Sequence, residues 1–407
     1  MSRITKISTI RLDERPKLIW VEIETADGRV GLGETFRSTA AVEAAIHEAS
    51  AQLLGQDATR IAAIADQLGA PYVGYHSASA EIRAASAIDI ALWDLFGQRH
   101  GIPIHEALGG AARTTIPVYN TCAGYEFNTG DGGRRTISDS DKLAGPYDDQ
   151  IAFERDAGAL AESLVSEGYR AMKIWPFDRF AIGQSANHLS SQEIELGLIP
   201  FQKIREKVGN RIEVMCELHS LWSANTALRI CQALEPYNIY WVEDPIGKMD
   251  DFHTLADLRR RTRVPICASE TLAGLVPFRD LLAANATDFV MLDVVWCGGF
   301  SVARKIAALA ESHARAVAPH DCTGPVALYA GLHLALHAST SVFQEVVRAS
   351  LSTWYGDILT ALPRIENGVA FAPEGPGLGA ALKPSVKDRA DCHIRVSAEG
   401  GQSSGRA

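Results

Sequence analysis

"VMCELHSLW", residues 214–222, places Glu217 and His219 two positions apart at the end of an apolar run. If the run is a strand, both side chains share one face, because strand side chains alternate with a period of two. A face carrying a carboxylate and an imidazole is either wet or occupied by something charged. The same design, an apolar strand closed by an ionisable residue, recurs downstream. "IYWVE" ends at Glu243, "PICASE" at Glu270, "DFVMLD" at Asp293, "AVAPH" at His320 and "VFQE" at Glu345. From Glu217 onward the intervals are 26, 27, 23, 27 and 25 residues, each about one strand plus one helix. Taken singly, such a residue is often the first solvated position after a strand. Six at one period point instead to a common mouth.

The segments between these ends have helical apolar spacing, as in "NTALRICQALEPY", "DFHTLADLRRRT" and "GFSVARKIAALAESHA". Short strands that are apolar on both faces and alternate with helices build a parallel barrel, whose active site lies at the C-terminal strand ends. Strands are expected at 116–122, 170–175, 212–217, 239–243, 265–269, 288–293, 315–319 and 342–345. A doubly wound open sheet suits the same alternation, but the glycine-rich phosphate turn usual there is missing.

Ahead of the barrel, "ITKISTIRL" and "KLIWVEIETADGRVGLGE" read as strands with "ADGR" as a hairpin turn. Helical patterns follow, the last, "SAEIRAASAIDIALWDLFGQRHG", stopping at Gly101 and Pro103. Residues 1–115 therefore form an α+β unit, and 116–364 the barrel. The polar, glycine-rich stretch 128–150 is an insertion expected to act as a lid. Residues 365–380, "IENGVAFAPEGPGLGA", read as a turn-rich return, and 396–407 as a disordered tail.

With 407 residues, 47% hydrophobic and 22% charged, the composition is that of a large globular enzyme. A formal net charge of -10 argues against nucleic acid as a partner, and "LRRRTR" at 258–263 reads as a solvated helix end. The seven cysteines form no CxxC pair and are expected to be buried free thiols of a reducing compartment. No apolar run approaches the roughly 20 residues of a membrane span, and no signal core opens the chain, so a cytoplasmic location is expected.

Three carboxylates converging from adjacent strands repel one another unless a cation neutralises them. An all-oxygen donor set favours Mg²⁺, or Mn²⁺, over Zn²⁺. Glu217, Glu243 and Glu270 are thus the candidate metal ligands. Asp293 and His320, on the next two strands, suit a general base oriented by a carboxylate. Lys173, ending the strand "YRAMKIW", suits an oxyanion stabiliser or a base.

These residues carry a family resemblance. "ALWDLFGQRHGIPIHEALGG" (91–110), "WVEDP" (241–245), "ASET" (268–271), "LDVVWCGG" (292–299) and "PEGPGLG" (373–379) resemble the enolase superfamily, in its mandelate racemase-like branch. The resemblance covers nearly the whole chain. It implies an N-terminal α+β capping domain over a modified (β/α)8 barrel of the TIM type, (β/α)7β, with the C-terminal segment 365–395 packing back on the cap. It implies Mg²⁺ at Glu217, Glu243 and Glu270, and abstraction of the proton α to a carboxylate of a small-molecule substrate by the His320–Asp293 dyad. Glu345 matches the acid that hydrogen-bonds the substrate carboxylate, and Lys173 the first lysine of a Lys-x-Lys motif. Loops near 31–38 and 71–77 would close over the substrate, and a homo-oligomer is implied.

Three departures shape the expected reaction. Trp175 replaces the second lysine, which disfavours a two-base racemase. Glu217 stands where relatives usually have Asp. His219 matches the general acid of members that dehydrate sugar acids. The expected reaction is therefore dehydration of an aldonate or aldarate to a 2-keto-3-deoxy acid. A cycloisomerase would use the same residues, an epimerase would need an acid from the 128–150 insertion, and a non-catalytic binder would not need the base dyad. Trp175, Tyr125, Trp222, Trp354, Arg134 and Arg135 are candidates to shape the pocket.

Overall fold

Alternation in the first 36 residues produces a three-stranded meander, β1 (Ile4–Leu12), β2 (Leu18–Thr25) and β3 (Val30–Phe36). The architecture comes from a computed structural model describing residues 2–70, 78–125, 127, 129, 147–181 and 187–406. The hairpin between β2 and β3 turns at Asp27–Gly28, with Gly28 at φ +82°. Three helices follow, α1 (Thr39–Leu53), α2 (Ile61–Gly69) and α3 (Ala80–His100). Together they bury a cluster that includes Ile7, Val21, Ile23, Val42, Ile46, Ile64 and Ile88. α3 lies directly on β3, and this approach explains a glycine in "GLGE". A Cβ at Gly33 would overlap the backbone carbonyl of Ala87.

The second unit is the barrel. Its strands are β4 (Thr115–Thr121), β5 (Ala171–Ile174), β6 (Glu213–Glu217), β7 (Ile239–Glu243), β8 (Ile266–Ala268), β9 (Phe289–Leu292), β10 (Ala316–Pro319) and β11 (Gln344–Val346). Each neighbouring pair from β4 to β10 is parallel, and β11 pairs in parallel with β4. The ring closes where Val317 of β10 bridges Ser341, just ahead of β11, and Val342 N–H donates to the Val317 carbonyl at 3.0 Å. Among the described residues, seven long helices, from Asp149–Ser166 to Pro325–His337, occupy the seven crossovers. The last strand is followed only by four-residue helices, so the form is (β/α)7β.

The chain then returns to the cap. β12 (Ile365–Glu366) and β13 (Val369–Phe371) form a hairpin whose second strand runs antiparallel to the start of β4. The "GPGLG" stretch packs on α3, where the buried Asp94 carboxylate accepts from Leu378 N–H and Leu32 N–H, each at 2.8 Å. Gly377 is required there, since a Cβ would overlap the Asp94 carboxylate. β14 (Cys392–Ala398) adds to the cap sheet beside β1. The tail expected to be unordered from 396 is instead paired: β14 runs through Ala398, and β15 (Gly401–Arg406) lies antiparallel to it. A polar, glycine-rich composition hides this, because the exposed edge of β14 offers backbone donors and acceptors that any sequence can meet.

None of the seven cysteines is in a disulfide; six are buried and Cys322 is half-buried. Among the described residues no helix is long and apolar enough to cross a membrane.

Candidate active site

The barrel interior is plugged by one residue from each strand or its approach: Tyr119, Ala171, Met215, Trp241, Cys267, Met291, Ala318 and Phe343. Strand periodicity puts the residue two positions later on the same inward face. Those residues are Thr121, Lys173, Glu217, Glu243, Ser269, Asp293, His320 and Glu345. An apolar floor thus carries a ring of mostly ionisable groups directly above it. Of the seven strand ends that carry an ionisable residue in the sequence, six fall in this ring, and β8 departs from it. Its ring position is Ser269, whose hydroxyl donates to Asp244 at 2.8 Å, and Glu270 follows on the turn.

Glu217, Glu243 and Glu270 nonetheless converge, each offering a carboxylate oxygen such that all three atoms lie within 4.8 Å of one another. Burial, with repulsion from Asp244 and Glu270, pushes the Glu217 carboxyl up to about 7. Burial and then Glu217 push Glu243 well above the carboxylate range. Such a cluster lacks positive charge, and the protein supplies some with two side chains. Lys173 Nζ lies 2.5 Å from Glu243 Oε1, 2.9 Å from Glu345 Oε1 and 3.5 Å from Glu217 Oε2. His320 Nε2 lies 2.8 Å from Glu270 Oε2. Three close oxygens from carboxylates that cost free energy to ionise together fit a hard divalent cation.

His320 is oriented by Asp293, whose Oδ2 is 2.8 Å from Nδ1, while Asp293 Oδ1 accepts from Val295 N–H. With Nδ1 engaged, Nε2 is the nitrogen presented to the pocket. Burial alone would lower this imidazole, but Glu270 and Glu345 push it well above its ordinary range.

His219 reaches the site by a different route from the one expected. β6 ends at Glu217, and His219 sits in a left-handed turn with φ +49°, followed by Ser220 at φ +54°. The two do not share a strand face. They are neighbours because His219 N–H donates to Glu217 Oε1 at 2.6 Å and Ser220 N–H to the Asp244 carbonyl at 2.8 Å. The ring meets Trp175 edge-on at 5.5 Å, and Nδ1 lies 2.8 Å from Asp178 Oδ2. Asp178, on the short helix after β5, was not singled out in the sequence. Its only local signal is an acid four residues beyond a strand end, and its partner lies 41 residues away.

The pocket above the ring is lined by Lys173, Trp175, Glu217, His219, Glu270, His320 and Glu345, with Phe36 and Arg37 of the cap, Thr121, Phe127, Cys322 and Thr323. Tyr125 and Trp354 line an adjoining pocket that shares Phe127 and Cys322 with it. Trp222 does not belong: it is 1% exposed, enclosed in the core, and absent from the lining. Large apolar bulk, not proximity to the motif, decided its place. The 71–77 loop, Arg134 and Arg135 lie outside the described residues, as does most of the 128–150 insertion.

Residues 5–109 match the family described as mandelate racemase / muconate lactonizing enzyme, N-terminal domain, and residues 156–386 match the enolase C-terminal domain-like family. The chain belongs to the mandelate racemase-like branch of the enolase superfamily. Among curated members of this superfamily, it is 32% identical to a D-galactonate dehydratase of Pectobacterium atrosepticum, over 94% of this chain and 93% of that one. It is 29% identical to a D-gluconate dehydratase of Thermoproteus tenax, over 91% and 69% of the two chains. A crystal structure of an enolase protein from environmental sequencing of the Sargasso Sea is similar at 58% identity and a TM-score of 0.88, covering 98% of this chain and 99% of that one. The protein is an enzyme of this superfamily.

Proposed function

We propose that the protein dehydrates a sugar acid to a 2-keto-3-deoxy acid. The observation that carries this reading is the pair of histidines in one pocket, each with Nδ1 on an aspartate: His320 on Asp293 and His219 on Asp178, both at 2.8 Å. The names of the dehydratase relatives support it.

Mg²⁺ or Mn²⁺ held by Glu217, Glu243 and Glu270 would acidify the α-proton and neutralise charge developing on the substrate carboxylate. In its neutral form His320 takes the proton from C2 on Nε2, and the electron pair of the broken C–H bond moves into the carboxylate. Lys173 and Glu345, bridged at 2.9 Å, lie beside the ring and interact with that carboxylate. The electrons then return to expel the 3-hydroxyl, which leaves as water after taking a proton from His219. Asp178 holds the His219 ring with Nε2 free for this transfer. The enol product gains a proton at C3 as it becomes the keto acid.

The test is a panel of aldonic and aldaric acids incubated with the protein and Mg²⁺, followed by detection of 2-keto acids. Keto-acid formation from at least one acid is expected. α-Proton exchange with no elimination on any panel member would overturn the reading.

A further inference from the structure

We infer that Arg37 recognises a second anionic group at the far end of the substrate, so that the preferred substrates are sugar acids with a carboxylate at each end. This rests on the dehydratase reading and narrows its substrate class.

Arg37 follows β3 of the cap and lines the same pocket as Lys173, His320 and Glu345. The lysine and the arginine of that lining are treated differently. Lys173 is buried and held by three carboxylates. Arg37 is exposed, and among the described residues its guanidinium has no acidic partner, only the face of Phe36 at 5.8 Å. Its charge is therefore available to a ligand.

The position of Arg37 is also built. Arg37 and Ser38 are successive non-glycine residues in the left-handed region, at φ +62° and +48°, a conformation that persists only where its surroundings hold it. The support is Arg83 of α3, whose Nη1 donates to the carbonyls of Phe36 and Arg37 at 3.2 and 2.9 Å. The Arg83 guanidinium lies over Trp296 at 4.6 Å. Trp296 also packs on Phe36 at 5.1 Å and donates its indole N–H to the Thr271 carbonyl at 2.9 Å. Thr271 is the neighbour of Glu270. A continuous set of contacts thus sets the reach from the carboxylate cluster to the Arg37 loop.

Chemistry then selects the ligand. One carboxylate of the substrate is taken at the ring by Lys173 and the cluster. Phe36, Phe127 and Trp175 supply uncharged aromatic wall to the same pocket. A terminal hydroxymethyl offers Arg37 a single neutral acceptor, whereas a terminal carboxylate accepts two parallel N–H bonds from the guanidinium. A charge-assisted contact of this kind is worth roughly 10- to 100-fold in affinity.

The experiment uses Mg²⁺-loaded His320→Asn protein, which holds ligands without turning them over. Matched hexarate and hexonate pairs of several configurations are titrated calorimetrically. Hexarates are expected to bind at least about 10-fold tighter than their hexonates. Adding Arg37→Gln should erase that preference while leaving hexonate binding within about 3-fold, and Arg37→Lys should keep part of it. Equal affinity within every pair, a hexonate preference, no hexarate binding, or equal weakening of both members by Arg37→Gln would each overturn the inference. Turnover of the same pairs by the unmodified protein separates this outcome from the dehydratase reading. Absence of keto acid from all of them would sink that reading, while the binding ratio still decides the role of Arg37.

Discussion

His320 Nε2 lies 2.8 Å from Glu270 Oε2, so the nitrogen assigned to take the substrate proton also touches a carboxylate of the triple cluster. The proposed base and a proposed metal ligand are thus adjacent. A divalent cation would compete with the imidazole for the same carboxylate. Mg²⁺ is therefore expected to raise the thermal midpoint of the protein, by the equivalent of about 2.7 kcal/mol at 100 times its dissociation constant. Glu270→Gln should lose most of that rise. An unchanged midpoint with Mg²⁺ in the unmodified protein would argue against the metal site, as would full activity in excess EDTA.

The two histidines should separate when tested one at a time. His320→Asn is expected to abolish exchange of the α-proton in deuterated water along with dehydration. His219→Asn should block dehydration by on the order of 10² to 10⁴-fold while exchange continues. NMR of the C2 position reads both steps in one sample. Retained dehydration in both variants would remove the assignment.

Asp178 touches His219 at 2.8 Å, so in the proposed mechanism Asp178→Asn is expected to reduce dehydration by roughly 10- to 100-fold. Because the effect is on positioning, kcat should fall with little change in KM, and α-proton exchange should persist. A variant that loses exchange and dehydration together would show a structural role for Asp178 instead.

Packing of the cap depends on a residue with no side chain. Gly33→Ala would put a methyl group into the Ala87 carbonyl, and backbone cannot swing aside. A loss of about 3 kcal/mol is expected, read from the urea midpoint. A stability change below measurement error would mean that α3 can shift on β3.

Acid should destabilise the fold through buried neutral histidines. His333 accepts at Nδ1 from His105 and donates from Nε2 to the Leu378 carbonyl, where burial lowers it from 6.5 to about 3. Below 6.5 the unfolded chain binds a proton that the native chain refuses, so this contribution is complete above 6.5 and is lost as pH falls towards 3. The urea midpoint should drop across that window, and His333→Gln should flatten part of the slope. An identical slope in the variant would assign the acid sensitivity elsewhere.

Much of this protein was legible in its sequence because the governing physics is local. Strand alternation and one strand-helix unit per step put Glu217, Glu243, Asp293, His320 and Glu345 at one mouth. The repulsion among three glutamates led to the expectation of a cation. What the sequence could not carry were relationships between residues distant along the chain. Ser269 takes the ring position beside Glu270, because side-chain parity depends on where β8 actually ends. His219 faces Asp178 across 41 residues, through a left-handed turn rather than along a strand. Trp222 went to the core, because burying a large apolar ring outweighs its nearness to a motif. β15 pairs through backbone groups that composition does not reveal. The Arg37 loop is held by Arg83 from within the cap and by Trp296, which meets it only where cap and barrel pack together. Periodicity thus determined which residue types line the barrel mouth, and tertiary contact decided their partners, because hydrogen bonding and burial are settled by distance in space rather than by separation along the chain.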